Sequence, residues 1–353
     1  MTQGRTGALD PQAALARARG ALYGLAIGDA LGMPTEFLPR RQVTALFPEL
    51  RGFEPGPAAN ELSAGTPAAT VTDDTQQALI VARLLVEGQG HIDAGRFIHA
   101  LLAWADAAEA DGSEQLGPSS RRALEAVRRG VPPETAARRG DTNGAAMRIA
   151  PLGVAIPPDP LERLLDRVEE ACRPTHFTGL AIAGAAAVAA AVSAGVDGAS
   201  FADAFSLARH AARAGQLRGH YAAGASVAER LVWAVDLVTG LDEASALDAI
   251  EALVGTGVTT QEAVPAGFAI AARWSADPWQ ACLVASRLGG DSDTIAAMTG
   301  AIVGACVGEA GFPVAAVDEV QRVNGLDLAR MAGDLLEVRA RVLAEDGANQ
   351  RTE

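Results

Sequence analysis

Two short stretches hold most of the side chains able to do chemistry. "TDDT" (Thr72 to Thr75) and "DSDT" (Asp291 to Thr294) each place two carboxylates and their neighbouring hydroxyls at the head of an apolar, helically spaced run. Asp, Ser and Thr are favoured helix N-caps, so capping accounts for one side chain in each stretch and leaves the second carboxylate unexplained. If the two helix starts face each other, four carboxylates meet, and their repulsion must be relieved by protonation or by cations. A donor set made only of oxygens, with no His or Cys, suits Mg²⁺, Mn²⁺ or Ca²⁺ and not Zn²⁺. The metal reading is therefore a pair of divalent cations between the two stretches; a pair of plain caps is the alternative. "DSDT" also approaches the phosphatase signature Asp-x-Asp-x-Thr. That reading fails because Thr294 follows Asp293 directly and the preceding "WQACLVASRLGG" has helical spacing where a strand is needed.

The elements that must position these groups read as helices. Ala-rich segments with apolar residues three and four apart recur along the chain, from Ala13–Leu31 through Gln76–Val86 and Leu180–Ala194 to Thr294–Val307 and Leu326–Leu343. Alternating β-branched and aromatic residues hardly occur. The fold class expected is all-α, a compact orthogonal bundle of many helices in one domain over residues 1–344, with 345–353 as a disordered tail. Gly20, Gly24, Gly28 and Gly32 recur every fourth residue and so share one face of the first helix. Each costs about 0.5 to 1 kcal/mol of helix propensity. Close approach of a second helix would offset that, so this helix is expected to cross the centre of the bundle. The stretches Gly52–Thr70 and Arg138–Gly153 are rich in turn formers and read as long functional loops.

Composition narrows the partners. Lys+Arg 29 against Asp+Glu 43 gives a formal charge of -14, which opposes binding to nucleic acid or to anionic membranes. The uncharged run Gly179–Val196 is mostly Ala and Gly and reads as a buried helix in preference to a membrane span. Cys172, Cys282 and Cys306 are isolated in apolar contexts, as in a reduced, cytoplasmic protein.

Six segments, "GALYGLAIGDALGMPTEF", "TDDTQQAL", "TNGAAMRIAPLG", "PTHFTGLAIAGA", "QEAVPAGFAIA" and "GGDSDTIAAMTGAIVGA", stand in this order between Gly20 and Ala305. Together they resemble the ADP-ribosylglycohydrolase family, of the dinitrogenase-reductase-activating glycohydrolase type. The resemblance implies an all-α domain with a binuclear Mg²⁺ or Mn²⁺ site, whose ligands here would be Thr72, Asp73, Asp74, Asp291, Asp293 and Thr294. It implies hydrolysis at C1 of the distal ribose of an ADP-ribosylated protein or small ribosyl compound, with Asp73 and Asp291 catalytic through the metals and Glu36 as general acid/base. The loop Thr142, Asn143, Gly144, Ala145, Ala146, Met147 and Arg148 would hold the ADP-ribose, Arg148 serving as a charge partner for phosphate, and His176 would touch ribose or phosphate. Thr142 departs from the Gly common at its position in the family. Asp29 is expected to be a buried support or cap, and Glu262 to pin a helix start. Independently of the family, cleavage of a ribosyl bond develops oxocarbenium character and needs an acid on one side and an activated water on the other. A smaller nucleoside-like substrate is the alternative reaction, and a non-catalytic metal-binding protein the alternative class.

Overall fold

The computed structural model describes residues 10–110 and 116–349. In chain order its helices are α1 (Pro11–Gly32), α2 (Arg40–Leu46), α3 (Asp73–Glu87), α4 (Ala94–Ala110), α5 (Pro118–Arg128), α6 (Pro133–Ala136), α7 (Gly144–Met147), α8 (Ala150–Ala155), α9 (Leu161–Cys172), α10 (Gly179–Val196), α11 (Phe201–Gly215), α12 (Val227–Val238), α13 (Glu243–Ala249), α14 (Thr260–Arg273), α15 (Pro278–Ala285), α16 (Ser292–Val307), α17 (Val314–Asn324) and α18 (Leu328–Asn349). Among the described residues extended pairing is confined to two isolated bridges, Thr142 with Thr259 and Thr178 with His220.

The centre is built on α1, α10 and α16. Every residue of α10 is buried, and the 18-residue helix is apolar enough on average and long enough to cross a bilayer by length and composition alone. Here that apolar surface is covered on all sides by other helices of the bundle. The glycine face of α1 lies directly on α16. A Cβ added at Gly24 would stand 2.0 Å from the Gly300 carbonyl oxygen, at Gly28 2.1 Å from that of Ala296, and at Gly20 2.3 Å from that of Gly304. Two backbones therefore touch along several turns. The dispersion contacts of that seam offset the roughly 2 to 4 kcal/mol that four helical glycines cost.

Three expectations are corrected. The stretch Arg138–Gly153 is not a loop throughout, because α7 and α8 are folded within it and buried. Short helices such as these and α2 owe their stability to packing, which periodicity does not reveal. The helix Val314–Asn324 was not anticipated. The expected tail from Glu345 is helical as far as Asn349, since extending an anchored helix costs little once its earlier turns are packed; residues 350–353 of that tail lie outside the described residues.

Candidate active site

The start of α3 is held by Asp29 of α1. Its fully buried carboxylate accepts from both the backbone N–H and the Oγ1 of Thr72 (3.0 and 2.8 Å) and from the N–H and Oγ1 of Thr75 (3.0 and 2.5 Å). A side chain on one helix thus caps another, in the supporting role expected of Asp29. Burial raises its carboxyl to about 6, against the lowering effect of these bonds. Thr72, the N-cap residue itself, accepts from the N–H of Asp74. Asp73 and Asp74 fall in the first helical turn, so their carboxylates are free for other work.

The second acidic stretch arrives through a pair of left-handed glycines. Gly289 and Gly290 have φ of 68° and 62°, a region open to Gly at no steric cost. The turn lets Gly290 exchange backbone hydrogen bonds with the Phe37–Leu38 segment, Phe37 N–H to Gly290 O (2.5 Å) and Gly290 N–H to Leu38 O (3.0 Å). This ties Glu36 to the head of α16. Asp291 occupies the N-cap position of α16 but makes no side-chain cap bond; its carboxylate instead accepts from the Asn143 side-chain amide.

The two stretches converge. Thr294 Oγ1 of α16 donates to Asp74 Oδ2 of α3 at 3.1 Å, and Thr72 Oγ1 lies 3.4 Å from Asp293 Oδ2. Glu36, Asp291 and Asp293 each bring one carboxylate oxygen within 4.8 Å of the others. Burial first, and the neighbouring carboxylates second, raise Glu36, Asp73, Asp74 and Asp293 well above the usual range; burial raises Asp291 to about 6. The buried Oδ1 atoms of Asp74 and Asp293 have no hydrogen-bond partner. Unpartnered buried carboxylate oxygens are costly. Gathered carboxylates, two threonine hydroxyls and two orphaned oxygens form a donor set that fits hard divalent cations.

Above this floor lies a cavity of about 210 Å³, whose lining includes Glu36, Thr72, Asp73, Asp291, Asp293, Thr294, Thr142, Asn143, Gly144, Met147 and His176. Asp74, Ala145 and Ala146 stand behind the wall. Arg148 is also absent from the lining, which corrects its expected part as a phosphate partner: it is 0% exposed, stacks at 4.8 Å on Phe97, and gives its hydrogen bonds to Gln77 Oε1 (2.9 Å) and Thr175 Oγ1 (2.7 Å). Burial lowers its guanidinium to about 10. Gln77 in turn donates to Asp73 Oδ2 at 2.8 Å, so Arg148 serves the site from the rear. His176 lines the cavity, yet both ring nitrogens are already engaged by threonine hydroxyls. Glu262 receives the Gly257 N–H at 3.0 Å and steadies the turn ahead of α14. His91, His99, His210 and His220 are exposed, away from the cavity.

Several wall residues carry no signal in the sequence. Phe37, Leu62, Ser63, Ser120 and Val258 also line the cavity, and Asn60 docks the Gly52–Thr70 stretch on the Glu36 carbonyl with a 2.8 Å bond. Gln77 alone carried a signal, its place one helical turn after Asp73.

This all-α bundle closes a carboxylate-floored cavity where the starts of α3 and α16 meet. The ADP-ribosylglycohydrolase family model matches residues 10–344, and the chain belongs to that family. It is 40% identical over 328 residues to the uncharacterized protein YegU of Escherichia coli (strain K12), covering 92% of this chain and 97% of that protein. To the ADP-ribosylhydrolase ARH3 of Bos taurus it is 29% identical over 348 residues, 89% of this chain and 91% of that one. A solved structure of an ADP-ribosylglycohydrolase-related protein complex superposes with a TM-score of 0.63 at 26% identity, covering 94% of this chain and 99% of that chain.

Proposed function

We propose that the protein hydrolyses the C1 ribosyl bond of an ADP-ribosylated side chain or small molecule, with two Mg²⁺ or Mn²⁺ ions held by Thr72, Asp73, Asp74, Asp291, Asp293 and Thr294. The observation that carries this reading is the convergence of two acidic stretches, more than two hundred residues apart, on one cavity floor with orphaned carboxylate oxygens. Bound there, divalent ions would lower the pKa of a water and clamp neighbouring ribose hydroxyls. The chain's own part is acid chemistry and positioning. Glu36 stands at the cavity wall, where burial first and the neighbouring Asp291, Asp73 and Asp29 second raise its carboxyl, which favours its service as the acid that gives a proton to the departing oxygen or nitrogen. Asn143 orients Asp291, and Gln77 orients Asp73.

The test is a panel of ADP-ribosylated and simpler ribosyl compounds, incubated with Mg²⁺ or Mn²⁺ and assayed for released sugar. Asp73→Ala and Asp291→Ala are expected to abolish turnover. Glu36→Gln should lower kcat by about 10² to 10⁴. Undiminished hydrolysis by both aspartate variants would remove the assignment.

A further inference from the structure

Behind the cavity wall the hydrogen bonds join into one line whose polarity can be worked out. It runs from Asp73 through Gln77, Arg148 and Thr175 to His176, and ends at Thr142. Arg148 can only donate, so the oxygens of Gln77 and Thr175 must both accept from it. Thr175 is fully buried, and its own hydrogen needs an acceptor. Among the described residues its only other partner is His176 Nδ1, at 2.7 Å. Burial, reinforced by the nearby Arg148 and Arg122 charges, lowers the His176 imidazole well below its ordinary range and keeps it neutral. A neutral ring that accepts at Nδ1 carries its proton on Nε2.

That Nε2–H faces Thr142 Oγ1 at 3.0 Å, so the threonine oxygen is the acceptor there. Thr142 Oγ1 has no second protein partner among the described residues, and the residue lines the cavity. Its backbone is fixed on both sides: Asn143 N–H donates to Val258 O (2.9 Å), and the Asp141 carbonyl accepts from Thr260. The hydroxyl hydrogen is thereby left for whatever occupies the cavity.

We propose that Thr142 is a substrate-recognising donor, turned into the cavity by the Nε2–H tautomer of His176, and that it selects an oxygen acceptor on the ligand. His176 is on this account a positioning residue that acts through Thr142. The proposal rests on the ADP-ribosyl reading of the site for its ligand, but the proton assignment does not.

Two measurements test it separately. Long-range ¹H–¹⁵N spectra of the ligand-free protein should show His176 as the Nε2–H tautomer, identified by loss of its signals in His176→Gln; an Nδ1–H tautomer or an imidazolium at pH 7 overturns the proposal. Calorimetric titration with ADP-ribose in Mg²⁺ should show Thr142→Val, isosteric but without the hydroxyl, binding about tenfold more weakly. Thr142→Ser should bind within about twofold of the parent, because it keeps the donor. Equal affinity of the Val variant and the parent overturns the proposal. If the parent itself fails to bind ADP-ribose, the substrate reading falls, and the spectrum still decides the relay.

Discussion

Asp29 offers the sharpest test of how the site is assembled. Its carboxylate accepts four hydrogen bonds from the start of α3, two of them from backbone N–H groups that have no helical partner. Asp29→Ala leaves those two amides buried and unpaired, at about 1 to 3 kcal/mol each, while the two hydroxyls can rotate toward other acceptors. The expected loss is about 3 to 5 kcal/mol, once the small cavity is included. Asp29→Asn should cost less, about 1 to 2 kcal/mol. With its oxygen at the Oδ2 position the amide still accepts from Thr75 N–H, Thr75 Oγ1 and Thr72 N–H, and its NH₂ can donate to Thr72 Oγ1. The assay is urea unfolding in EDTA, which isolates the capping effect from any cation. The variants should rank parent, Asn, Ala. An Ala variant within about 0.5 kcal/mol of the parent would refute the idea that α1 holds the head of α3.

Other outcomes follow from the same geometry. In EDTA the protein should lose stability between pH 5 and 7.5. The raised carboxyls of Glu36, Asp73, Asp74 and Asp293, and those of Asp29 and Asp291 near 6, bind more protons folded than unfolded in that window, and stability then falls as pH rises. Saturating Mg²⁺ should flatten or reverse the slope, because cations replace the protons; a urea midpoint that rises with pH in EDTA contradicts this. Arg148→Lys should cost about 2 kcal/mol in urea unfolding, since a single ammonium cannot serve both Gln77 and Thr175; an unchanged midpoint counts against the rear support. Gly24→Ala, whose methyl would stand 2.0 Å from the Gly300 oxygen, should cost about 3 kcal/mol, while Gly52→Ala, with nothing within 4 Å, should be nearly neutral. Comparable melting temperatures for the two would show that the seam can part freely.

What could be read from the sequence was what has a period or a dense chemical signature. Four glycines spaced by four announce a helix face, and two acid-hydroxyl stretches announce a common destination. Arg148 is ambiguous in the sequence because a guanidinium next to a turn reads the same whether it faces solvent or is enclosed by Phe97, Gln77 and Thr175. His176 reads as a contact, yet the two threonines that flank its ring are visible only in three dimensions. Asn60 had no signal at all: one amide in a Gly- and Pro-rich stretch reaches the Glu36 carbonyl through tertiary folding alone. The short helices α7 and α8 fell below any periodicity that could have shown them.

The seam between the first and sixteenth helices has a bearing on how such enzymes can diverge. Where main chain rests on main chain, the gap is set by atoms common to every amino acid, so mutations elsewhere in the interior leave it unaltered. The separation of Asp29 from Asp293 is therefore a gauge that drift in the outer layers does not disturb. The cavity's upper walls, supplied by Leu62, Ser63, Leu116 and Gly117 from irregular segments, carry no such restraint. Selection can recut the opening for a new leaving group while the acidic floor keeps its dimensions.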